Sequence, residues 1–359
     1  MLTRSRLVSH CMSNHYPASI QHTITIHQVG QMLLGVDSPL QRASLLQRAG
    51  MAPALLESPL ARVTQAQFAR LMKLLMRQQR DELWGLASRP VPPGTFANAC
   101  RLLVNCTTLG EALREGLRYY RPWLSDFVPR WQASADQAMV RLQPLHALDE
   151  RQAYAARSFL FLSYGVMCWL AARRIPVQAV HYDSTHTAFR SEASRLFQAP
   201  IQAVDGHWGF SFESRWLSLP VVQSAHSAQE FLRQAPACLL VKYRDRASMT
   251  ERLRRLLRRY LAEDMPSLEQ VSTLLDTTPQ TLRRRLQREG QGYQRIKDDL
   301  RRDVAVEWLT QSALPLPDIA LRLGFSEVST FHRAFKGWTG LTPGAYRQAG
   351  QADTFCQST

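Results

Sequence analysis

Residues 267–290 read SLEQVSTLLDTTPQTLRRRLQREG, and residues 315–347 read PLPDIALRLGFSEVSTFHRAFKGWTGLTPGAYR. Laid over each other, they are two copies of one unit. Leu268 falls on Leu316, Val271 on Ile319 and Leu275 on Leu323 at an offset of 48; after the turn, Leu282 falls on Phe331 and Leu286 on Phe335 at 49. Each copy is an apolar-periodic helix, a short turn and a second helix that carries cations. That pattern is a helix-turn-helix, written twice.

The first unit opens with a capping box, Ser267 with Gln270, and its second helix opens with Thr278 followed by Pro279. In the second unit Ser326 is the expected cap of the second helix. With Leu282 and Leu286 turned inward, Gln280, Thr281, Arg283, Arg284 and Arg288 fall on outer faces. With Phe331 and Phe335 inward, Val328, Ser329, His332, Arg333 and Lys336 are the outer set. These are residue types that can read bases, since Gln pairs bidentately with adenine and Arg with guanine O6 and N7. Between the units, Ile296, Leu300, Val304 and Trp308 recur at strict fours, predicting a helix from Tyr293 to Gln311. Such a helix is about 28 Å long. It would hold two reading helices near successive major-groove faces, which lie about 34 Å apart on one side of a duplex.

At 359 residues, the chain has room for a second and larger domain before the doubled motif. Its 44 Lys and Arg against 29 Asp and Glu give a net charge of +15, which points to a polyanionic partner. The excess is spread over both halves, so charge alone does not locate the binding face. The six cysteines contain no CxxC pair, which argues against a zinc site and a secreted disulfide framework and favours a reducing cytoplasm. The N-terminus has basic residues but no apolar run long enough for a signal peptide, and its first residues read as a disordered lead. Ser158 to Ala172 is charge-free and apolar but shorter than the roughly 20 residues of a membrane span. Bounded by Arg157 and Arg173, it reads as a buried core helix.

Along the remainder, Phe68, Leu71, Met72 and Leu75 predict a helix over 63–80 started by Thr64 and Gln67. After the Pro90 to Gly94 break come helices from Phe96 to Val104 and from Thr108, with Glu111, to Tyr120. Three helices thus precede any clear strand. Asp126 to Leu145 alternates like a hairpin around Ala135-Asp136, and a helix from about Glu150 to Arg174 follows. Val177–Tyr182 and His207–Phe212 read as short strands, with a helix from Ser191 to Phe197 between them. Ser248 with Glu251 opens another helix whose Leu253, Leu256, Leu257, Tyr260 and Leu261 share one face. Arg252, Arg254, Arg255, Arg258 and Arg259 project elsewhere on it, a solvated charge run within reach of phosphate.

No nucleophile elbow, P-loop, dinucleotide fingerprint or zinc-protease spacing occurs. His22 with His27 and His181 with His186 are the only metal-like spacings, and their bland reading is structural. Cys100 and Cys106 read as buried thiols on different faces. The cluster Tyr119, Tyr120, Arg121, Pro122, Trp123 is the candidate wall of a small-molecule pocket, because aromatic surfaces with a few polar groups are what such a pocket requires.

Residues 267–347 resemble the DNA-binding domain of the AraC/XylS family of bacterial transcription regulators. The residues that carry this are Ile319-Ala320, Gly324-Phe325, Phe331, Arg333 to Lys336, Trp338, Gly340, Pro343 and Tyr346-Arg347. The chain departs from the family's pattern at Ser272, Pro315 and Gly337. Residues of about 35–220 are similar to the effector-binding domain of one branch of that family, through ARVTQAQFARLMKLLMRQQRDELWGL, TTLGEALREGLRYYRPWLSD and RLFQAPIQAVDGHWGFSFES. The resemblance implies base contacts from Gln280, Thr281, Arg284, Ser329, His332 and Arg333, a small-molecule effector, and dimerisation.

The resulting expectation is an α+β N-terminal domain followed by an all-α C-terminal domain with two helix-turn-helix units joined by a long helix. Residues 1–25 form a lead, 26–243 an effector-binding or dimerisation domain, 244–349 the DNA-binding domain and 350–359 a tail. The function expected is a cytoplasmic, nucleoid-associated transcription regulator, an activator under small-molecule control, with promoter DNA as partner. RNA polymerase and a second copy of the chain are further candidate partners; no cofactor, metal or membrane is called for. Two alternatives are a DNA-binding regulator whose N-terminal domain only dimerises, and an enzyme fused to a DNA-binding module.

Overall fold

The structure, a computed structural model, describes residues 23–183, 197, 199–204, 206–234, 248–262, 265–289 and 291–351. Short polar side chains start many of the helices. Thr64 and Gln67 form a complete capping box on α3 (Gln65–Gln79), whose Phe68, Leu71, Met72 and Leu75 are buried as their spacing predicts. Thr108 accepts from the Glu111 backbone to start α5 (Leu109–Tyr120), but the Glu111 carboxylate reaches back to Thr107 N–H, so that box is incomplete.

Before α3 lie two helices that periodicity alone missed, α1 (Ile26–Met32) and α2 (Pro39–Arg48). They are framed by a two-stranded ribbon of β1 (Ile24–Thr25) and β2 (Arg62–Val63). Thus α1, α2, α3, α4 (Thr95–Leu103) and α5 all precede the main sheet, not three helices alone. The seven residues of α1 and the two-residue strands are too short to carry a legible period, and α2, ten residues long, buries only Leu45 and Leu46. β1 also begins inside the stretch read as a lead, and Ile24 is buried.

The main sheet has the order β3-β4-β7-β5-β6. β3 (Phe127–Ala133) and β4 (Gln137–Pro144) form the expected hairpin, with Phe127 opposite Pro144. β7 (Trp208–Glu213) pairs antiparallel with β4 and with β5 (Val177–Asp183). β6 (Ile201–Val204), which the sequence did not announce, lies parallel to β5 at the edge. Against this sheet lies α6 (Glu150–Leu170), which contains the charge-free run from Ser158 and is buried on nearly every side as a core helix must be. α7 (Ala225–Gln234) lays Phe231 on Trp169, stacked at 4.2 Å. The helix expected from Ser191 to Phe197 lies outside the described residues except at Phe197, as does the 243/244 boundary.

The C-terminal region is all helical: α8 (Met249–Leu257), α9 (Leu268–Leu274), α10 (Pro279–Arg288), α11 (Tyr293–Gln311), α12 (Leu316–Arg322), α13 (Val328–Thr339) and α14 (Pro343–Gln351). The α11 stripe is buried at Ile296, Leu300, Val304 and Trp308. The Arg run on α8 is not wholly the solvated face expected of it: Arg254 is 2% exposed and ion-paired to Asp303 at 2.8 Å. Arg258 is partly buried, and Arg252, Arg255 and Arg259 stay exposed. An arginine on a helix that must pack on both its sides is drawn inward when a buried carboxylate waits there.

Candidate nucleic-acid interface and ligand cavity

The first reading helix, α10, is started by Thr278, whose hydroxyl accepts from Thr281 N–H and meets the Thr281 hydroxyl at 2.9 Å. Leu282 and Leu286 are buried, and Gln280, Thr281, Arg283, Arg284 and Arg288 are all exposed on one continuous surface. α9, which supports it, has the full Ser267–Gln270 capping box. Its Ser272 is buried, donating to Leu268 O at 2.7 Å, so the hydroxyl at this departure from the family pattern is satisfied.

The second reading helix, α13, differs at its start. Its N-cap is Glu327, not Ser326, and makes no side-chain cap bond. The Glu327 carboxylate instead accepts from the Ser329 hydroxyl at 3.0 Å. A glutamate there sets a negative charge beside any approaching phosphate. Ser329, Arg333 and Lys336 are exposed, whereas His332 is half-buried with its Nε2 in a buried position, its ring edge on Phe331. α12 likewise starts at Pro315 with no side-chain cap. Both units therefore present a cationic outer face, and α11 joins them.

A second feature lies in the N-terminal region. Between α3, α4, α5, α6 and α7 is a cavity of about 380 Å³, within the size range of small-molecule sites. Its walls are apolar, with Met72 and Met76 from α3, Leu113 and Leu117 from α5, and Phe159 and Met167 from α6. Of the cluster Tyr119 to Trp123 expected to wall a pocket, Tyr120 lines it. Tyr119 only packs edge-on against Tyr120 at 5.6 Å, and Arg121 and Trp123 are exposed beyond the end of α5. Tyr119, one place from Tyr120, is turned about 100° away round the helix, and Arg121 and Trp123 lie past the C-terminal end of α5.

Four polar groups line the interior, one of them the Ser163 hydroxyl, which donates to Phe159 O at 2.8 Å. Glu82 accepts backbone N–H bonds from Gly94 and Phe96, both at 2.7 Å; burial raises its pKa and those bonds partly offset the rise. Burial pushes the Cys100 thiol up to about 12, so it is not a ready nucleophile. Burial likewise holds the Tyr120 phenol in its neutral form. At the cavity's exposed margin stand Lys73 and Arg77 from α3 and Arg233 from α7. Apart from Tyr120, this lining was not legible as a motif; the signal available was the doubled Met–cation pair Met72-Lys73 and Met76-Arg77, four apart.

Among the described residues, no cluster of three His, Cys, Asp or Glu side chains could hold a metal. His181 lies against Ser211 Oγ at 3.4 Å and faces His207, and burial followed by that neighbour lowers its pKa. His22 and His186 lie outside the described residues. No described helix is long and apolar enough to cross a membrane.

The two regions are joined by hydrogen bonds. Asp303 on α11 accepts from Thr23 Oγ1 at 2.7 Å, from Arg254 at 2.8 Å and from Arg302 at 3.2 Å. Ser58 Oγ donates to Thr339 O at 3.0 Å, and the Tyr346 hydroxyl donates to Arg62 O. Arg62 in turn donates to Thr23 Oγ1 and O, both at 2.6 Å. Sequence reading missed this junction, although Asp303, three residues after Leu300 on the buried stripe, was a carboxylate in need of a partner.

Comparison with known proteins accounts for both regions. The family model for the arabinose-binding N-terminal domain of AraC transcription regulators matches residues 40–221, and one for a helix-turn-helix domain matches residues 271–349. The ornithine utilization regulator of Pseudomonas aeruginosa is 28% identical over 314 residues, 86% of this chain and 91% of that protein. The urease operon transcriptional activator of Escherichia coli is 38% identical over 80 residues, 22% of this chain and 27% of that one. The crystal structure of the transcriptional regulator CdpR from Pseudomonas aeruginosa covers 77% of this chain and 86% of its own at 23% identity, with a TM-score of 0.28. The N-terminal match alone spans about half of the sequence, and the cation-faced doubled helix-turn-helix follows it: this chain belongs to the AraC family of transcription regulators.

Proposed function

We propose that this regulator is an activator whose N-terminal cavity binds a small-molecule effector and thereby alters how the two reading helices engage a promoter. The observation that carries the reading is the cavity. A regulator that only dimerised through this region would have no use for an apolar void with exposed cations at its margin, because unfilled apolar space costs packing energy. Activation is supported by the 80-residue likeness to a urease operon transcriptional activator.

In this reading Gln280, Thr281, Arg283, Arg284 and Arg288 contact bases and phosphates of one major-groove face. Ser329, His332, Arg333 and Lys336 contact the next. α7 is the coupling element, since it closes one side of the cavity with Leu232 and Arg233 and is the last described helix before α8. A ligand that moves α7 therefore acts on the chain leading into the DNA-binding region. Promoter DNA, RNA polymerase and a second copy of the chain are the partners, in the cytoplasm at the nucleoid. Footprinting on the chain's neighbouring promoters, with and without effector, tests this. A protected site whose occupancy changes with effector is expected; no protection in either condition would sink the proposal.

A further inference from the structure

The cavity's chemistry specifies what it can hold, and a sugar fits it poorly. A pentose carries a hydroxyl on most of its carbons, and each needs a hydrogen-bond partner once buried. Here the walls are Met, Leu, Val, Phe and Trp side chains, and the interior polar groups are few. The Ser163 hydroxyl is already spent on Phe159 O at 2.8 Å, and the Glu82 carboxylate on two backbone N–H groups. At the margin the balance reverses. Lys73, Arg77 and Arg233 are exposed and make no ion pair or hydrogen bond among the described residues. An apolar interior beneath three unpaired cations matches a ligand with an apolar body and one anionic end. The Tyr120 hydroxyl, with no hydrogen-bond partner among the described residues, leaves one interior donor for an occupant.

We propose that the cavity binds an apolar-bodied monocarboxylate, its chain among Met72, Met76, Leu113, Leu117, Phe159 and Met167 and its carboxylate held by Lys73, Arg77 and Arg233. The inference rests on the effector reading above and names the effector's class. About 380 Å³, at about 30 Å³ per water-sized group, admits roughly a dozen non-hydrogen atoms, the size of a ten-carbon straight-chain acid.

Isothermal titration of the full chain with decanoate, decylamine and L-arabinose, each below any micellar concentration, tests the class. Decanoate should bind at one site per chain, and decylamine and L-arabinose should not. The triple variant Lys73→Glu, Arg77→Glu, Arg233→Glu should weaken decanoate at least tenfold. These side chains are exposed, so the variant's melting temperature without ligand should match that of the parent. Equal affinity in the variant, arabinose binding in place of decanoate, or binding of none of the three overturns the carboxylate assignment and leaves effector control to stand on footprinting. Saturable, charge-dependent decanoate binding that never changes an operator footprint would do the opposite: the carboxylate site would stand and effector control would fall.

Discussion

In the first helix-turn-helix unit, Leu268, Val271, Leu282 and Leu286 form an aliphatic core, and capping hydroxyls start both helices. In the second, Phe325, Phe331, Phe335, Trp338 and Tyr346 form an aromatic core, with neighbouring rings 5.2–6.2 Å apart, and neither helix has a side-chain cap. The second unit is also the one that Ser58 and Arg62 reach, through Thr339 and Tyr346. The difference teaches that duplicated sequence patterns need not be duplicated structural roles. One unit is held by its own short-range bonds and carries the denser cation face. The other borrows stability from packing and from its hydrogen bonds with the N-terminal region.

The largest effect expected from breaking this arrangement is at Asp303, the buried carboxylate shared by Thr23, Arg254 and Arg302. Asp303→Ala strands a buried arginine and should cost about 3–5 kcal/mol of folding stability, measured by chemical denaturation. Loss below 1 kcal/mol would show that the junction is not a structural node. Next comes base reading. Arg284→Ala should cost about 1–3 kcal/mol on the preferred operator, and Arg333→Ala less, because the Glu327 carboxylate beside Ser329 would repel phosphate at the second face. Binding assays on one operator would expose equal losses, and the asymmetry would then be wrong.

A smaller effect tests the second unit's seat. Gly340 has φ +77°, and a Cβ there would lie 2.5 Å from Ser58 Oγ, so Gly340→Ala adds left-handed strain to a clash. It should destabilise by about 1–2 kcal/mol. Ser58→Ala in the same background should recover part of that loss in thermal denaturation, as it would not if backbone strain alone were responsible.

The smallest effect concerns the connector itself. Burial, opposed by Arg258 and reinforced by Asp303, raises the Glu307 carboxyl from 4.5 to about 7. The folded state then holds its proton more tightly than the unfolded state. Stability is therefore fully present below pH 4.5, declines as pH rises through about 7, and stays reduced above that. Glu307→Gln should leave stability unchanged below that window and add on the order of 1 kcal/mol above it, a figure reduced for partial solvent screening. A pH series of denaturation midpoints would reveal a flat difference if the carboxyl were in fact ordinary.

The doubled motif was legible because a helix's inward face repeats every three or four residues. The Leu282–Phe331 and Leu286–Phe335 correspondences are local facts of spacing, as are the Thr64, Ser267 and Thr278 caps. The charge-free run inside α6 could also be recognised as core by its length alone. The edge strand β6 was not legible, because a four-residue strand has hardly two periods to show. Nor was the true start of α13, where Glu327 and Ser326 are both chemically able to sit at the boundary and only the backbone path distinguishes them.

What depended on distance along the chain lay beyond sequence. The two reading faces and their spacer were set by side-chain order over at most a few helical turns, so residues 267–347 declared them. The cavity, by contrast, is assembled from five helices spread over residues 72–233, and its mouth cations come from α3 and α7, far apart in sequence. The Thr23–Asp303 bond spans 280 residues. Local propensity carries no information about which distant surfaces will meet, because that choice is made by burying all the apolar faces at once. The chain order therefore determined that this protein carries a doubled helix-turn-helix with cationic outer faces, and only tertiary packing decided which helices enclose a cavity and which unit the N-terminal region touches.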